Sequence, residues 1–170
     1  MVRIRLFEEK DLQAVSEMYV ENWKTTYPGL VNQEYLDNMN VPWAMDKWVK
    51  FLETEGNGMF IADKEGKLMG FGAFRPSDHL EDSMFLDALH VSKDARDLGI
   101  GSKLIKAIGK KAIEEGFSRM NISIVSGNEH ARRLYVNRGV VHYEFEKIDF
   151  AGVPSNVEYF MWPTLDAFKD

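Results

Sequence analysis

The chain has no cysteine. Disulfides, thiolate metal sites and a cysteine nucleophile are therefore excluded. Histidine is scarce: His79, His90, His130 and His142 are the only four, and no two of them show HExxH or similar ligand spacing, so no metal is expected. There is no run of about 18 apolar residues, and the opening "MVRIRLFEEKDLQ" has no apolar signal core. A soluble, cytoplasmic protein with no membrane partner is the expectation. Positive charge is also short. The formal net charge is −6, which disfavours nonspecific nucleic-acid binding, because phosphate contacts need a basic surface. No repeat, low-complexity segment or linker divides the sequence. With 45% hydrophobic residues, 170 residues suffice for one core, and a single domain over residues 1–170 is predicted.

What is present alternates between two periods. "VRIRLF" reads as a strand. "EEKDLQAVSEMYVENW" sets Leu12, Val15, Tyr19 and Trp23 at helical spacing. "TYPGL" is a break, "NQEYLDNM" a short helix, and "PWAMDKWVKFLETEG" a helix that begins with Pro42 and ends at Gly56. "GMFIAD" and "KLMGFGAFRP" form a hairpin around "KEG", and "SMFLDALHV" is a further strand. "GIGSKLIKAIGKKAIEEG" places Ile100, Leu104, Ile105, Ile108 and Ala112 on one helical face. "RMNISIV" is a strand, and "NEHARRLYVNRG" a short helix with Asn128 as N-cap and Gly139 after its end. "VVHYEFEKIDF" and "NVEYFMW" are two final strands around "AGVPSN". The order predicts one mixed α/β (α+β) domain with a largely antiparallel front half.

The informative stretch is "RDLGIGSKL". Glycine just before a helix makes an anion site, because free N–H groups point outward and the macrodipole favours negative charge. The dinucleotide fingerprint GxGxxG fails, since Leu104 stands at the third glycine position. The P-loop fails as well, because Ser102 precedes Lys103 and the glycine spacing is wrong. What remains is Arg-x-x-Gly-x-Gly, at Arg96, Gly99 and Gly101. About one helix and one strand later comes "NEHARRLYVNRGV".

These two segments together resemble the signatures of the GNAT superfamily of N-acetyltransferases. The first is similar to its pyrophosphate loop. The second is similar to Asn-x-x-Ala-x-x-Leu-Tyr-x-x-x-Gly-Phe, with Asn128, Ala131, Leu134, Tyr135 and Gly139 in place. Val140 stands where the family has Phe, and Lys93 and Ala95 replace a common Pro and aromatic. The element order agrees over essentially the whole chain. The resemblance implies a mixed, mostly antiparallel central sheet flanked by helices, with a splay between the fourth and fifth strands. It also implies acetyl-CoA as cosubstrate and an amine acceptor as the second partner.

In that reading the amides from Leu98 through Ser102, including Gly99, Ile100 and Gly101, cradle the pyrophosphate, with Arg96 and Asp97 in the same loop. Main-chain groups of Leu89 and Val91, on either side of His90, pair with the pantetheine arm as if with another strand. Asn128 contacts the arm. Arg132 and Arg133 are within reach of the adenosine phosphates, with a solvated helix face the favoured alternative for each.

Acetylating an amine poses two proton problems. At pH 7 an alkyl ammonium of pKa about 10.4 is nucleophilic in roughly one molecule in two thousand, a cost of about 4.6 kcal/mol. The departing thiolate must also be protonated. Tyr135 stands where the family carries its tyrosine acid. Asp87 is the candidate carboxylate, because alternation in "MFLDALHV" puts it on one face with Leu89 and Val91. Capping a bulge or pairing with a nearby arginine such as Arg75 is the alternative for Asp87, and Glu81, Asp82 and a water held by backbone carbonyls are the other candidates for the base. Trp23 and Tyr27, at i and i+4, and Tyr159 with Glu158 in the last strand are the expected acceptor contacts. A core staple is the alternative for the Trp23–Tyr27 pair.

The leading function is acetyl transfer to a primary amine of a small molecule or peptide, by direct attack on the thioester. The alternatives are a noncatalytic acyl-CoA-binding sensor and a protein lysine or N-terminal acetyltransferase. Strand edges near the C-terminus make a homodimer plausible.

Overall fold

The computed structural model describes residues 1–96, 98–150 and 153–170, with the backbone alone at 150, 153 and 154. Its strands are β1 (Arg3–Leu6), β2 (Gly58–Lys64), β3 (Lys67–Pro76), β4 (Ser83–Val91), β5 (Arg119–Val125), β6 (Val141–Phe150) and β7 (Val153–Trp162). Its helices are α1 (Leu12–Thr26), α2 (Gln33–Asp37), α3 (Val41–Glu53), α4 (Ile100–Glu114) and α5 (Glu129–Val136). None of the described helices is long and apolar enough to cross a membrane.

The seven strands form one sheet in the order β1-β2-β3-β4-β5-β7-β6. Every pairing is antiparallel except β4 with β5. That parallel pairing is short. It runs from Ser83↔Arg119 to Leu86↔Ile122 and stops there. Beyond Leu86 the two strands diverge, as the expected splay requires.

A bulge marks the point of divergence. On the β3 side, Ala73 pairs with Ala88 and Phe74 with Leu86, which leaves Asp87 as the extra residue. An extra residue bends its strand and breaks the alternation of faces. Leu86 and Leu89, three apart, both pack toward α4 with Ile105 and Ile108. Ala88 packs on the other face with Tyr19 and Trp48 of α1 and α3.

Helix starts follow local chemistry. Asn40 accepts from Trp43 N at 2.9 Å, and Asn128 accepts from Ala131 N at 3.2 Å; such caps satisfy amides that a helix leaves without partners. The start of α1 differs from the expectation. Residues 9–11 form a tight turn, and Asp11 instead receives both guanidinium nitrogens of Arg5 at 2.8 Å. α1 then runs on to Thr26, past the expected end at Trp23.

α4 seats its first turn against β3 and β4. A Cβ at Gly70 would lie 2.7 Å from the carbonyl oxygen of His90 and 3.2 Å from Ile100. Only glycine permits that approach, which fixes the start of α4 beside the diverging half of β4.

Candidate functional site

The start of α4 is built on one backbone conformation. Gly99 is its N-cap, with φ 74° and ψ 15°, the left-handed region. A residue with a Cβ adopts this region at a cost of roughly 1–2 kcal/mol, so glycine is what lets the chain turn from loop to helix here. Gly99 O accepts from Lys103 N at 3.1 Å. The amides of Gly99, Ile100, Gly101 and Ser102 have no acceptor among the described residues. They border a cavity of about 300 Å³ between the diverging end of β4 and α5.

Leu89, His90 and Val91 line one side of the cavity, and Asn128, Ala131, Leu134 and Tyr135 line the other. A Cβ at Gly101 would meet only Leu134 and Leu89, at 3.8–3.9 Å. The protein's own packing therefore does not demand glycine at this position, and a larger side chain would take up cavity space.

The charge of the cavity runs against that of the protein. Arg96 and Arg138 line it, the α4 N-terminus points at it, and no described lining residue is acidic, in a chain of net charge −6. An anionic ligand is what such a site accommodates. Arg138 is held in place by its own bonds: one nitrogen donates to Leu134 O at 2.5 Å and the other to the Ser102 hydroxyl. Tyr135 is buried in the far wall, and burial pushes its hydroxyl well above the ordinary tyrosine range. It therefore stays protonated and able to donate. Tyr27, at the end of α1, joins it there, its hydroxyl accepting from Asn128 Nδ2 at 3.4 Å.

The profile of the Acetyltransferase (GNAT) family matches residues 14–140. This chain belongs to that family. A curated relative, the uncharacterized N-acetyltransferase YuaI of Bacillus subtilis, is 26% identical over 174 residues, covering 99% of this chain and 97% of its own. Among solved structures, the PaiA N-acetyltransferase of Thermoplasma acidophilum in complex with coenzyme A shares the fold with a TM-score of 0.69 and 20% identity, covering 93% and 98% of the two chains. The YncA putative acetyltransferase of Salmonella typhimurium, solved with acetyl-CoA, does so with a TM-score of 0.73 and 18% identity, covering 97% and 94%. The protein is thus a GNAT acetyltransferase with an acetyl-CoA-binding fold.

Within this GNAT site the expected cofactor residues fall into three groups. Leu89, His90, Val91, Arg96, Gly99, Ile100, Gly101, Ser102, Asn128 and Tyr135 line the one cavity. Leu98 and Arg132 do not. Leu98 is exposed, and its amide donates to Ala95 O at 3.3 Å, so the open amides begin at Gly99. Arg132 turns toward β7, where it pairs with Glu158 at 2.5 Å. Asp97 lies outside the described residues.

The acceptor residues need more correction. Asp87 does not share a face with Leu89, because the bulge lies at Asp87 itself. Asp87 acts electrostatically on Tyr19 and Lys47, on the α1 and α3 side, and its Oδ1 accepts from Arg75 Nε at 3.0 Å. Trp23 and Tyr27 do meet, with ring centroids 4.3 Å apart and the planes tilted by 35°. Only Tyr27 lines the cavity, whereas Trp23 packs with the core around Tyr19. Tyr159 lies beneath His79, the rings parallel within 8° and 3.9 Å apart, so one of its faces is already covered.

Asn22, Thr26, Ala95, His130 and Arg138 also line the cavity and escape the sequence reading as site residues. Arg138 carries a signal. Ala131, Leu134, Tyr135 and Arg138 fall at i, i+3, i+4 and i+7, one helical stripe. Asn22 carries none, because its role comes from long-range packing: its Nδ2 reaches His90 Nδ1 at 3.2 Å and Val91 O at 3.4 Å. His90 is pushed down to about 3, chiefly by burial and then by Arg96 and Lys47, so it is a neutral imidazole. One further constellation joins residues distant in sequence: His79, Glu144 and Glu146, all exposed, offer ligand atoms within 4.8 Å of one another.

Proposed function

We propose that the protein transfers the acetyl group of acetyl-CoA to the primary amine of a small molecule or peptide by direct attack, with no covalent enzyme intermediate. The observation that carries this reading is the row of open amides at Gly99–Ser102, bordering a cavity that is free of described carboxylates and walled by Tyr135. The amides and Arg138 take the diphosphate, as charge-assisted hydrogen bonds. The unpaired edge of β4 at Leu89–Val91 offers main-chain groups to an extended ligand arm, as an added strand would use them. The PaiA and YncA structures, solved with coenzyme A and acetyl-CoA, support the same ligand here.

Asp87 Oδ2 has no partner among the described residues and takes a proton from the acceptor ammonium. The free amine forms its N–C bond to the thioester carbon, the C–S bond breaks, and Tyr135 protonates the leaving sulfur. The second amine proton restores Tyr135, so one proton reaches solvent per turnover. The test is thiol release from acetyl-CoA with amino acids, polyamines, aminoglycosides and peptides as acceptors. Amine-dependent release supports the reading; tight acetyl-CoA binding with no release for any amine contradicts it.

A further inference from the structure

The α1 and α3 side of the diverging strands carries a cation with no ion-pair partner among the described residues. Lys47 of α3 sits one residue before the fully buried Trp48. Its Nζ folds inward, 4.5 Å from the Trp48 ring centroid and 5.6 Å from that of Tyr19. Lys50 of the same helix shows the ordinary alternative, an exposed pair with Asp46 at 2.9 Å. Lys47 has no such carboxylate partner among the described residues. Ring faces attract an ammonium, but they replace only part of the hydration that burial removes, and burial lowers the lysine's affinity for its proton.

The nearby carboxylates are already engaged. Arg75 holds Asp87 at 3.0 Å and Asp78 at 3.4 Å. Asp87 nevertheless keeps Oδ2 open, and it lies within electrostatic reach of Lys47. The Tyr19 ring beneath Lys47 meets the cavity-lining His90 ring edge-on at 5.2 Å. Beside the cavity, then, one face presents the second oxygen of a carboxylate that Arg75 holds by the first, and an ammonium with no ion pair among the described residues. A zwitterion has the complementary pattern.

We infer that the acceptor is an amine that also carries a carboxylate, of amino-acid type. Its ammonium meets Asp87 Oδ2 and its carboxylate meets Lys47. This rests on the transferase reading above and makes Lys47 a specificity-determining residue within it. A polycationic acceptor is disfavoured, because Lys47 already holds the aromatic faces a second ammonium would use and repels that charge.

The experiment is steady-state acetylation of the proteinogenic amino acids, each against its own carboxamide, by wild type, K47M and K47R, with melting temperatures to confirm that each variant is folded. The expected result is a kcat/KM at least about tenfold higher for the best amino acid than for its amide, since one charge pair is worth roughly that factor or more. K47M brings the ratio near one by raising the amino-acid KM, and K47R restores most of it. Amides or polyamines used as well as amino acids, or a preference that survives in folded K47M, would overturn the inference while leaving the transferase reading intact. Absence of thiol release with every amine overturns that reading, and the inference falls with it.

Discussion

The two halves of β4 are one strand with two tasks. Ser83–Leu86 has a partner on each side, β3 and β5, and is buried throughout. Leu89–Val91 keeps β3 but has lost β5, and it is partly exposed. Buried main-chain groups must be paired, so the first half is closed and structural. The second half holds open polar edges against a cavity and waits for a ligand to satisfy them. The change falls at the Asp87 bulge, which also sends that carboxylate to the side opposite α4. In the proposed reading, a single extra residue thereby separates a cofactor side from an acceptor side.

Substitutions on the two sides should have different kinetic signatures. The largest effect is expected for Tyr135→Phe, which removes the proposed proton donor to sulfur: kcat falls about tenfold to a hundredfold or more, while acetyl-CoA affinity from calorimetry is retained. An undiminished kcat would make Tyr135 a packing residue only. Gly99→Val comes next. A β-branched residue at φ 74° costs roughly 1–2 kcal/mol and turns the amides away, so the KM for acetyl-CoA rises about tenfold with a lower melting temperature. On the proposed acceptor side, Asp87→Asn keeps the shape of the bulge and removes the proposed base. Its kcat/KM for the amine should drop about tenfold, with the acetyl-CoA KM little changed. If D87N instead impairs acetyl-CoA binding, the two sides are not separate.

The smallest expected effect is on stability and sharpens the view of His90. Its imidazole is held near pKa 3 in the fold against an ordinary 6.5. Between those values the unfolded chain binds a proton that the folded chain refuses, so stability declines as the pH falls from about 6.5 toward 3. The contribution is complete above 6.5. Urea midpoints across that range should fall less steeply in His90→Gln than in wild type.

Much of this architecture is legible in the sequence. Apolar periodicity identifies the strands and helices, and the glycines at 99 and 101 together with Tyr135 mark the cavity between β4 and α5. The acceptor side is less legible, for identifiable reasons. Alternation assigns Asp87 to the wrong face because a bulge adds a residue without changing the composition of its strand. By sequence Arg132 is as available as Arg138, yet Arg132, within α5, turns to Glu158, and Arg138, in the turn after α5, reaches Ser102. The contacts of Asn22 and Lys47 depend on how α1 and α3 cross the sheet, which no local pattern encodes.

The most direct measurement is amide hydrogen exchange with and without acetyl-CoA. The ligand is expected to slow exchange at Gly99–Ser102 and along Leu89–Val91, and to leave Ser83–Leu86 as it was. Exchange at Gly99–Ser102 that saturating acetyl-CoA does not alter would contradict the account at its base.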